Sequence, residues 1–381
     1  MTLPWLVVGY ALCAAAVTYQ AVALWAHWRW NRRIGRTGSG PRPVTLLKPL
    51  FGDEPRLYEN LRSFCEQDHP CFQVVFGVCR EDDPALRVVR RLQAEFPALD
   101  IAVVAAPPGG SENHKVANLM NMLPRAAHDW LVIADSDIRV GRDYLRTVTA
   151  PLAERRTGVV TCLYQGRAMP GLWSRLAALF INDWFLPSVL VSHACGSRAF
   201  AFGATLALRR DVLDAIGGLG RLANELADDY RLAELTREAG FDTVLSSYRV
   251  ETLVHEPTLL CLWRHELRWA RTIRMLRPVG YAFTFVTYSL PLAALGALCT
   301  GLAAGGVGLL GATVALRLGV HYAGGTGGRN LLSTSTFIAA RDLLSLLVWC
   351  AAFFGYTVWW QGRLLVLRPG GSVCEHTGRR S

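Results

Sequence analysis

The chain has 381 residues, is 51% hydrophobic and carries a formal net charge of +10, and its mean hydropathy is +0.23. This balance indicates a membrane protein with a soluble part, and the positive charge suits an anionic membrane surface or a phosphate-bearing ligand; no nucleic-acid partner is expected. The ten cysteines show no CxxC pair and no zinc-type spacing, which argues against a disulfide framework and a structural metal.

The first predicted element is a membrane anchor over residues 1–28. Residues 3–28 contain no Asp, Glu, Lys or Arg, and a helix of that length, at about 1.5 Å per residue, exceeds a hydrocarbon core of about 30 Å. A cleaved signal peptide is the alternative, but the apolar run continues beyond the small residues of ALCAAA and has no basic start. Four arginines follow in WRWNRRIGR, residues 28–36. The positive-inside rule therefore predicts an inner-membrane protein whose next domain is cytoplasmic.

Residues 29–280 are predicted to form an α/β domain, because they hold nearly all the charge and alternate short apolar runs with helical patterns. This order predicts parallel pairing with right-handed crossovers, and such sheets bind ligands beyond the carboxyl ends of their strands. The predicted strands are residues 43–49, 73–79, 100–105 and 130–134, and the predicted helices are residues 55–67, residues 85–96 and a helix from Val116.

The only two lysines of the chain are Lys48 and Lys115. In a sequence this rich in arginine, they indicate positions where a compact ammonium is wanted, and we take both as candidates for binding a nucleotide sugar. Chance survival of two lysines is the equal alternative.

Acidic residues follow two of the predicted strands. Asp82 and Asp83 come after the second strand, and Asp135 and Asp137 come after the fourth. Two carboxylates on alternate residues beyond a buried strand can hold a divalent ion and leave coordination positions for phosphate oxygens. The pattern thus predicts a site for Mg²⁺ or Mn²⁺ with a nucleotide sugar; the alternative is a turn cap at Asp135 and a solvated Asp137.

Three later segments complete the predicted domain. Residues 176–191 form either a lip that faces lipid or a buried core helix broken at Pro187. ADDY, residues 227–230, opens a helix, and acids in a first turn are also what the helix dipole favours. WRHELRWAR, residues 263–271, is a cationic and aromatic helix that either grips a diphosphate and lines an acceptor pocket or lies at the membrane interface with snorkelling side chains.

The C-terminal region is predicted to return to the membrane. Residues 281–316 are uncharged and long enough for a helical hairpin around the glycine-rich residues 301–308, and a third apolar zone covers residues 343–360. Residues 281–362 are thus assigned to membrane helices and residues 363–381 to a tail. Three spans would put the tail outside, against the positive-inside rule, unless one segment lies flat in the interface or re-enters. The arginines of this tail are Arg363, Arg368, Arg379 and Arg380.

Several motifs follow one another along nearly the whole chain: KPL at 48–50, EDDPA at 81–85, NHKVANLM at 113–120, IADSDIRV at 133–140, ADDY and HELRW at 265–269. In this order they resemble the ceramide glucosyltransferase family, including its bacterial relatives associated with hopanoid synthesis. FIAARD and GRLLVLRPGG near the C-terminus extend the resemblance. It implies a GT-A type nucleotide-sugar-binding domain with a mostly parallel sheet, an N-terminal transmembrane anchor and C-terminal transmembrane helices.

The resemblance also implies roles for the strand-end acids. The first acidic motif of the family falls on Asp82 or Asp83, which would contact the nucleoside. The second falls on Asp135, and Asp137 completes the implied metal-binding pair.

The remaining family motifs fall in the second half of the domain. The third acidic motif places the implied general base at Asp229, with Asp228 as the alternative. Arg268 and Trp269 match the last motif, in the part of the site that binds the donor. His265 stands where the family has Gln or Arg, so its role in that site is open.

The function that the resemblance implies is an inverting, metal-dependent transfer of glucose or N-acetylglucosamine from a UDP-sugar to the hydroxyl of a membrane lipid. We favour a hopanoid polyol with N-acetylglucosamine, and a ceramide glucosyltransferase that uses UDP-glucose is the alternative. A polymer-making transferase of similar fold would need more spans than the chain offers. A transporter or noncatalytic scaffold is the alternative of another class; a transporter would place functional charges within its spans, and residues 281–316 contain none.

Overall fold

The structure is a computed structural model that describes residues 2–32, 40–325 and 331–376, except for the side chains of residues 331–334. Predicted features that involve Arg33, Arg36, Arg379 and Arg380 lie outside these residues. The first helix, α1 (Leu3–Asn31), contains the predicted anchor and has a proline in its first turn, where no intrahelical hydrogen bond is lost.

The next part of the chain alternates strands and helices as predicted, and its strands β1, β2 and β4 are short, apolar and almost entirely buried. In chain order the elements are β1 (Val44–Pro49), α2 (Leu57–Cys65), β2 (Phe72–Val78), α3 (Ala85–Glu95), β3 (Asp100–Ala105), α4 (His114–Met122), β4 (Trp130–Ile133), β5 (Ile138–Arg139), α5 (Tyr144–Thr149), β6 (Thr157–Ala168), α6 (Leu172–Phe180), α7 (Leu186–Ala194), β7 (Leu206–Arg209), α8 (Arg210–Ala215), α9 (Asp228–Glu238), β8 (Asp242–Val254) and α10 (Leu259–Leu276).

The eight strands form one sheet in the order β3-β2-β1-β4-β7-β6-β8-β5. Neighbours from β3 to β4 are parallel, as are β6 and β8, whereas β7 is antiparallel to both of its neighbours and β5 is antiparallel to β8. Helices α2, α3 and α5 cover one face, and α4, α8 and α9 cover the other. Because Leu47 pairs with both Val75 and Ile133, the carboxyl ends of β1, β2 and β4 meet at one edge.

The last part of the chain contains apolar helices and a second, small sheet. Within the described residues, four helices are long and apolar enough to cross a membrane, namely Leu3–Asn31, Leu172–Ala194, Ala304–Ala323 and Ser335–Ala352, and a pair bent by 69°, Pro278–Thr287 with Ser289–Cys299, could add a fifth. The elements are α11 (Pro278–Phe283), α12 (Ser289–Cys299), α13 (Ala304–Ala323), α14 (Leu331–Ala352), β9 (Thr357–Trp360), β10 (Arg363–Leu367) and β11 (Val373–Glu375).

The predicted helical hairpin is confirmed as α12 and α13. Its turn lies just before most of the glycine-rich residues, and both helices pack on α1. A Cβ placed on Gly9 of α1 would lie 2.7 Å from the carbonyl oxygen of Gly296 in α12. The small residues therefore let the two backbones approach closely, as is common between membrane helices.

The prediction for residues 343–360 is wrong in its second half. The helix α14 begins earlier, at Leu331, and ends at Ala352, and after a short connection residues 357–360 form the strand β9. Their side chains alternate, with Val358 buried and Trp359 exposed, which is the strand period. The segment predicted as a tail supplies β10 and β11, which pack with β9 against Leu226 and Met275.

Residues 176–191 lie in a helix that is mostly buried, so the core interpretation fits better than the lipid-facing lip. Helices α6 and α7 are joined by one turn of wider π-helix, Ile181–Phe185, and Pro187 occupies the first turn of α7. The proline thus begins a helical segment instead of breaking one.

Buried charges lie directly beside the uncharged zone. Arg317, one residue beyond residues 281–316, pairs with Asp342 of α14 (Nη2 to Oδ1, 2.9 Å) and with Asp183 of the π-helical turn (Nη1 to Oδ2, 3.3 Å). His321 Nδ1 lies 2.7 Å from Asp183 Oδ2. The lack of charge in residues 281–316 counted against a transporter, but charged residues follow directly after Leu316.

Candidate active site

Three charged side chains converge at Gly203, in the loop before β7. A Cβ placed on Gly203 would lie 3.0 Å from Lys115 Nζ, 3.3 Å from Asp135 Oδ2 and 3.6 Å from Asp229 Oδ2. These groups come from α4, from the loop after β4 and from α9, so the fold brings together residues that are distant in sequence. A larger residue at position 203 would occupy the space between them.

Lys115 is the central cation of this cluster. Its Nζ lies 2.6 Å from Asp135 Oδ1 and 3.6 Å from Asp228 Oδ2. Asn113 positions it, because the Asn113 side chain caps α4 by accepting a hydrogen bond from the amide of Val116. Burial alone would lower the pKa of Lys115, but the nearby carboxylates outweigh it and raise the pKa above its usual value.

Asp135 and Asp137 follow β4 as predicted. Asp135 keeps about a third of its side chain exposed, and Asp137 accepts a hydrogen bond of 2.7 Å from Thr252 of β8. Burial, and then the charge of Asp135, raise the pKa of Asp137. A cation between the two would relieve that repulsion, so the donor set fits a hard divalent ion. Across residues 2–32, 40–325 and 331–376, no three His, Cys, Asp or Glu side chains gather closely enough to hold an ion by themselves.

Lys48 contacts the same loop from the interior of the domain. Its ammonium is fully buried, donates a hydrogen bond to the backbone oxygen of Asp135 and lies 3.7 Å from the ring centroid of Phe64. Burial lowers the pKa of Lys48 to about 7, although Asp135 and Asp137 act in the opposite direction. In this structure the lysine holds the backbone of the acidic loop and does not face the open crevice.

The two aspartates at the start of α9 have different surroundings. Asp229 accepts hydrogen bonds of 2.7 Å from the amides of Gly203 and Tyr230, and it is half-buried. Asp228 is buried beside Lys115. Burial, and then the charge of Asp228, raise the pKa of Asp229 to about 6. At neutral pH, Asp229 is therefore ionised but more basic than an ordinary aspartate.

The structure separates the two residues of the first acidic motif. Asp83 is buried and accepts hydrogen bonds from the amides of Gly52 and Ala85, so it fixes the loop after β1. Asp82 has 71% of its side chain exposed and pairs with Arg80 (2.6 Å). The contact of Asp83 with the loop after β1 places it at the ligand edge of the sheet, whereas Asp82 faces solvent.

Sequence reasoning missed Glu54, which lies beside the acidic loop. Burial raises the pKa of Glu54 to about 7; a hydrogen bond to Ser136 opposes this shift, and the charge of Asp137 adds to it. One Glu54 carboxyl oxygen is buried without a hydrogen-bond partner. The strand-end argument that found Asp135 also applies to the residues after β1 and would have found Glu54. Gly203, by contrast, has no signal in the sequence.

The helix α10 carries the last motif. Arg268 is half-buried, and its guanidinium makes no hydrogen bond or ion pair with any residue that the structure describes. Burial lowers the pKa of Arg268 to about 10, although Asp135 and Asp229 lie near enough to attract its charge. Trp269 stacks on Phe180, with ring centroids 5.9 Å apart.

His265 contacts Glu256, a carboxylate whose charge also acts on the guanidinium of Arg268. Its Nδ1 lies 2.6 Å from Glu256 Oε1, and its ring packs edge-on against Trp269 at 4.4 Å. Arg268 therefore lies near enough to Asp135 and Asp229 for their charges to act on it, and His265 contacts the loop before α10. A direct contact between His265 and a nucleotide sugar stays a prediction.

Comparisons with known proteins agree with this architecture. A sequence profile described as Glycosyl transferase family 21 matches residues 8–373. Ceramide glucosyltransferase 1 of Caenorhabditis elegans is 24% identical over 229 residues, which are 60% of this chain and 49% of that protein. Ceramide glucosyltransferase 3 of the same organism is 23% identical over 247 residues, which are 64% of this chain and 53% of that protein. The chain spans about half the length of these curated relatives.

A solved structure shows the same fold. The mannosyltransferase of Pyrobaculum calidifontis, determined in complex with GDP-mannose and Mn²⁺, aligns with a TM-score of 0.56 and 19% identity, over 90% of this chain and 99% of that one. The predicted fold class, a GT-A type domain with a mostly parallel sheet and apolar helices at both ends, is confirmed.

Proposed function

Because the chain belongs to glycosyl transferase family 21, the family resemblance read from its motifs is confirmed, and we propose that it transfers a sugar from a UDP-sugar to the hydroxyl of a membrane lipid with inversion at the anomeric carbon. The observation that carries this proposal is the cluster at Gly203, where an amine and two carboxylates from three elements surround one open position. The guanidinium of Arg268, which has no hydrogen-bond or ion-pair partner among the described residues, adds a second cation for a diphosphate.

In the proposed reaction, Asp229 is the general base. It accepts the proton of the lipid hydroxyl while that oxygen forms a bond to the anomeric carbon, and the bond from this carbon to the phosphate oxygen breaks to release UDP. A base with a raised pKa near 6 suits this role at neutral pH. The two backbone amides that bind Asp229 hold its carboxylate in place. Asp228 is more buried, and its charge helps to hold Lys115.

The leaving diphosphate would be held by cations of this chain. Lys115 lies between Asp135 and Asp228, and Arg268 approaches from α10, so both can contact phosphate oxygens once UDP is bound. Asp135 and Asp137 would hold Mg²⁺ or Mn²⁺, which when bound neutralises charge on the departing diphosphate. Mn²⁺ and a nucleotide sugar are bound by the mannosyltransferase of the same fold, which supports these ligand classes. We assign the nucleoside contact to Asp83 in preference to Asp82, because Asp83 lies at the ligand edge of the sheet.

Two acceptors remain in the proposal. The names of the curated relatives favour glucose and ceramide, whereas the likeness of the motifs to hopanoid-associated bacterial proteins favours N-acetylglucosamine and a hopanoid polyol. Both lipids present a hydroxyl at the membrane surface, and the apolar helices before and after the α/β domain support a position of that domain beside the bilayer. We propose that residues 29–280 form the catalytic domain on the cytoplasmic side of the inner membrane.

The experiment that tests this function compares lipids from cells with and without the protein by mass spectrometry. A lipid whose mass increases by one hexose or one N-acetylhexosamine is expected only when the protein is present, and the mass of the aglycone distinguishes ceramide from a hopanoid polyol. Identical lipid profiles, or a polymer of sugars in place of a single addition, would exclude the proposed reaction.

A further inference from the structure

The position of α14 relative to the membrane follows from its neighbours. By length and composition, Ser335–Ala352 could cross a bilayer. A helix that crosses must have its two ends on opposite sides. The contacts of α14 show which parts of the chain lie beside each of its two ends.

The first described turns of α14 contact the soluble domain. Phe337 packs in one cluster with Val254 of β8 and Leu262 of α10, and Leu344, near the centre of α14, packs against the same cluster. The guanidinium of Arg175, in α6, lies 3.7 Å from the ring centroid of Phe337. The N-terminal part of α14 therefore lies on the side of the catalytic domain.

The C-terminal end of α14 contacts the same side. Arg274 of α10 donates a hydrogen bond of 2.8 Å to the carbonyl oxygen of Gly355, and Arg271 donates to that of Phe354. Beyond this point, Arg363 of β10 pairs with Glu112 (3.1 Å), in the loop that leads to Lys115. Both ends of α14 thus meet the domain that holds the candidate active site.

The centre of α14 lies near one end of a spanning helix. Asp342 pairs with Arg317, which is only six residues before the end of α13 at Ala323, or about 9 Å along a helix. That end of α13 is tied to the soluble domain, because His321 contacts Asp183 and the carbonyl of Gly324 accepts from Gln165. The opposite end of α13 packs beside Tyr10, in the N-terminal part of α1.

The two faces of α14 differ in polarity. The inner face carries Arg341, bound to Glu266 by two hydrogen bonds of 2.6 and 2.8 Å, together with Asp342. We define the uncharged stripe as Leu343 (53% exposed) and Leu347 (51% exposed), one helical turn apart on the outer face, together with Phe354 (74% exposed), two residues beyond the end of the helix. A helix with one charged face and one apolar face fits a position in the membrane interface, with the apolar face toward the acyl chains.

We propose that α14 does not cross the bilayer but lies in the interface of the leaflet that faces the catalytic domain, with the stripe of Leu343, Leu347 and Phe354 against the acyl chains. The occupant of this face is the lipid bilayer, because α14 packs against α12, which also exposes Leu295 and Leu298, and because arginines of α10 bind the carbonyls just beyond the C-terminal end of α14. Within the described residues, the chain then crosses the membrane with α1, with α12 and its bent entry, and with α13. The strands β9 to β11 remain on the catalytic side, in agreement with the positive-inside rule.

The test measures depth in the bilayer at matched positions. Leu343→Cys lies at the centre of α14, and the control Val314→Cys lies at the centre of α13; both side chains are exposed. The exposed cysteines Cys71, Cys195, Cys261 and Cys350 are first replaced by serine. Each variant of the full chain is labelled with an environment-sensitive fluorophore and placed in vesicles of phosphatidylcholine and phosphatidylglycerol. Nitroxide quenchers are carried near the headgroup or near the end of the acyl chain.

The proposal predicts that the label at position 343 is quenched most by the shallow nitroxide and lies about 5 Å closer to the headgroups than the label at position 314, because Arg317, the partner of Asp342, follows Val314 by three residues toward the end of α13. Equal depth at the two positions would overturn it. If Leu343→Cys does not fold, Leu347→Cys reports the same face.

A second measurement labels single cysteines introduced at Leu302, Tyr322 and Tyr356 with a maleimide that cannot cross the membrane. The cysteines at 322 and 356 must react from one side of the membrane and the cysteine at 302 from the other. A reaction of Tyr356 from the side of Leu302 would also overturn the proposal. Neither readout depends on transferase activity.

Discussion

Two clusters of buried charge in this protein use the same residue types in opposite ways. In the membrane-side cluster, Arg317 meets Asp342 and Asp183, so its guanidinium is bound by carboxylates on both sides. In the cluster at Gly203, Lys115 is similarly paired, but Asp135 is partly exposed, and Arg268 has no partner among the described residues. The first cluster satisfies its cation internally, and the second leaves charge available.

The difference indicates which cluster binds a ligand. A buried ion pair costs desolvation energy and often contributes little net stability, but removing one partner leaves a charge that is expensive to bury. The membrane-side cluster therefore holds α13, α14 and the π-helical turn in register. At Gly203 the repelling carboxylates and the unpaired guanidinium are kept close by the fold, which is a pattern of functional sites.

The largest expected effect comes from the acidic loop. Asp135→Ala and Asp137→Ala should each abolish transfer and sharply weaken metal-dependent binding of UDP, because they remove half of the carboxylate pair. Asp129→Ala is the matched control: Asp129 precedes the same strand at its other end and is 86% exposed. Titration calorimetry with UDP and Mn²⁺ measures the binding. Full activity in the presence of a chelator would contradict the assignment.

The next effect concerns Asp229, the proposed general base. Asp229→Asn keeps the shape of the side chain but cannot accept the proton, so we expect kcat to fall by roughly 10²- to 10⁴-fold with donor affinity nearly unchanged. Asp228→Asn serves as the comparison. If Asp229→Asn loses donor binding and Asp228→Asn loses turnover, the two roles are exchanged.

A smaller effect is expected from α10. Arg268→Ala should weaken UDP binding and transfer by roughly 10- to 150-fold, the equivalent of a charge-assisted hydrogen bond of about 1.5–3 kcal/mol. Arg264, one turn earlier, lies 5.1 Å from the ring centroid of Trp359 and is exposed. Arg264→Ala should alter membrane association and keep UDP affinity. The reverse result would mean that the helix presents its other face to the donor.

The membrane-side cluster should respond in stability and not in chemistry. Asp342→Asn removes one partner of a buried arginine, which costs about 3–5 kcal/mol, so the thermal midpoint in detergent should fall clearly. The kcat of the folded fraction should stay within about twofold. A turnover loss as large as that of Asp229→Asn, at unchanged stability, would show that the two clusters do not differ as described.

The smallest expected effect is the change of kcat/KM with pH. The raised pKa of Asp229, about 6, predicts that kcat/KM increases with pH and reaches half of its plateau near pH 6, because the carboxyl cannot accept a proton below that value. This increase of kcat/KM with pH should be absent in the Asp229→Asn variant. A wild-type rate that is flat down to pH 4.5 would remove Asp229 from the role of base.

Much of the fold could be predicted from the sequence, because its signals are local. Short apolar runs separated by helical patterns gave the parallel half of the sheet, and the strand-end rule gave Asp135 and Asp137. The site is less local. Gly203 matters because of where α4, β4 and α9 place their side chains, and no pattern in its neighbours reveals this. The strand β9 was predicted as helix because an apolar run of four residues fits either structure.

The central claim is tested most directly by the product of the purified protein. Incubated with UDP-glucose or UDP-N-acetylglucosamine, a divalent cation and a hydroxyl-bearing lipid, the protein should form a glycolipid with one sugar. The anomeric proton coupling in its NMR spectrum should show the β configuration, inverted from the α-linked donor. An α-linked product, or hydrolysis of the donor without any glycolipid from ceramide or hopanoid polyol, would contradict the account.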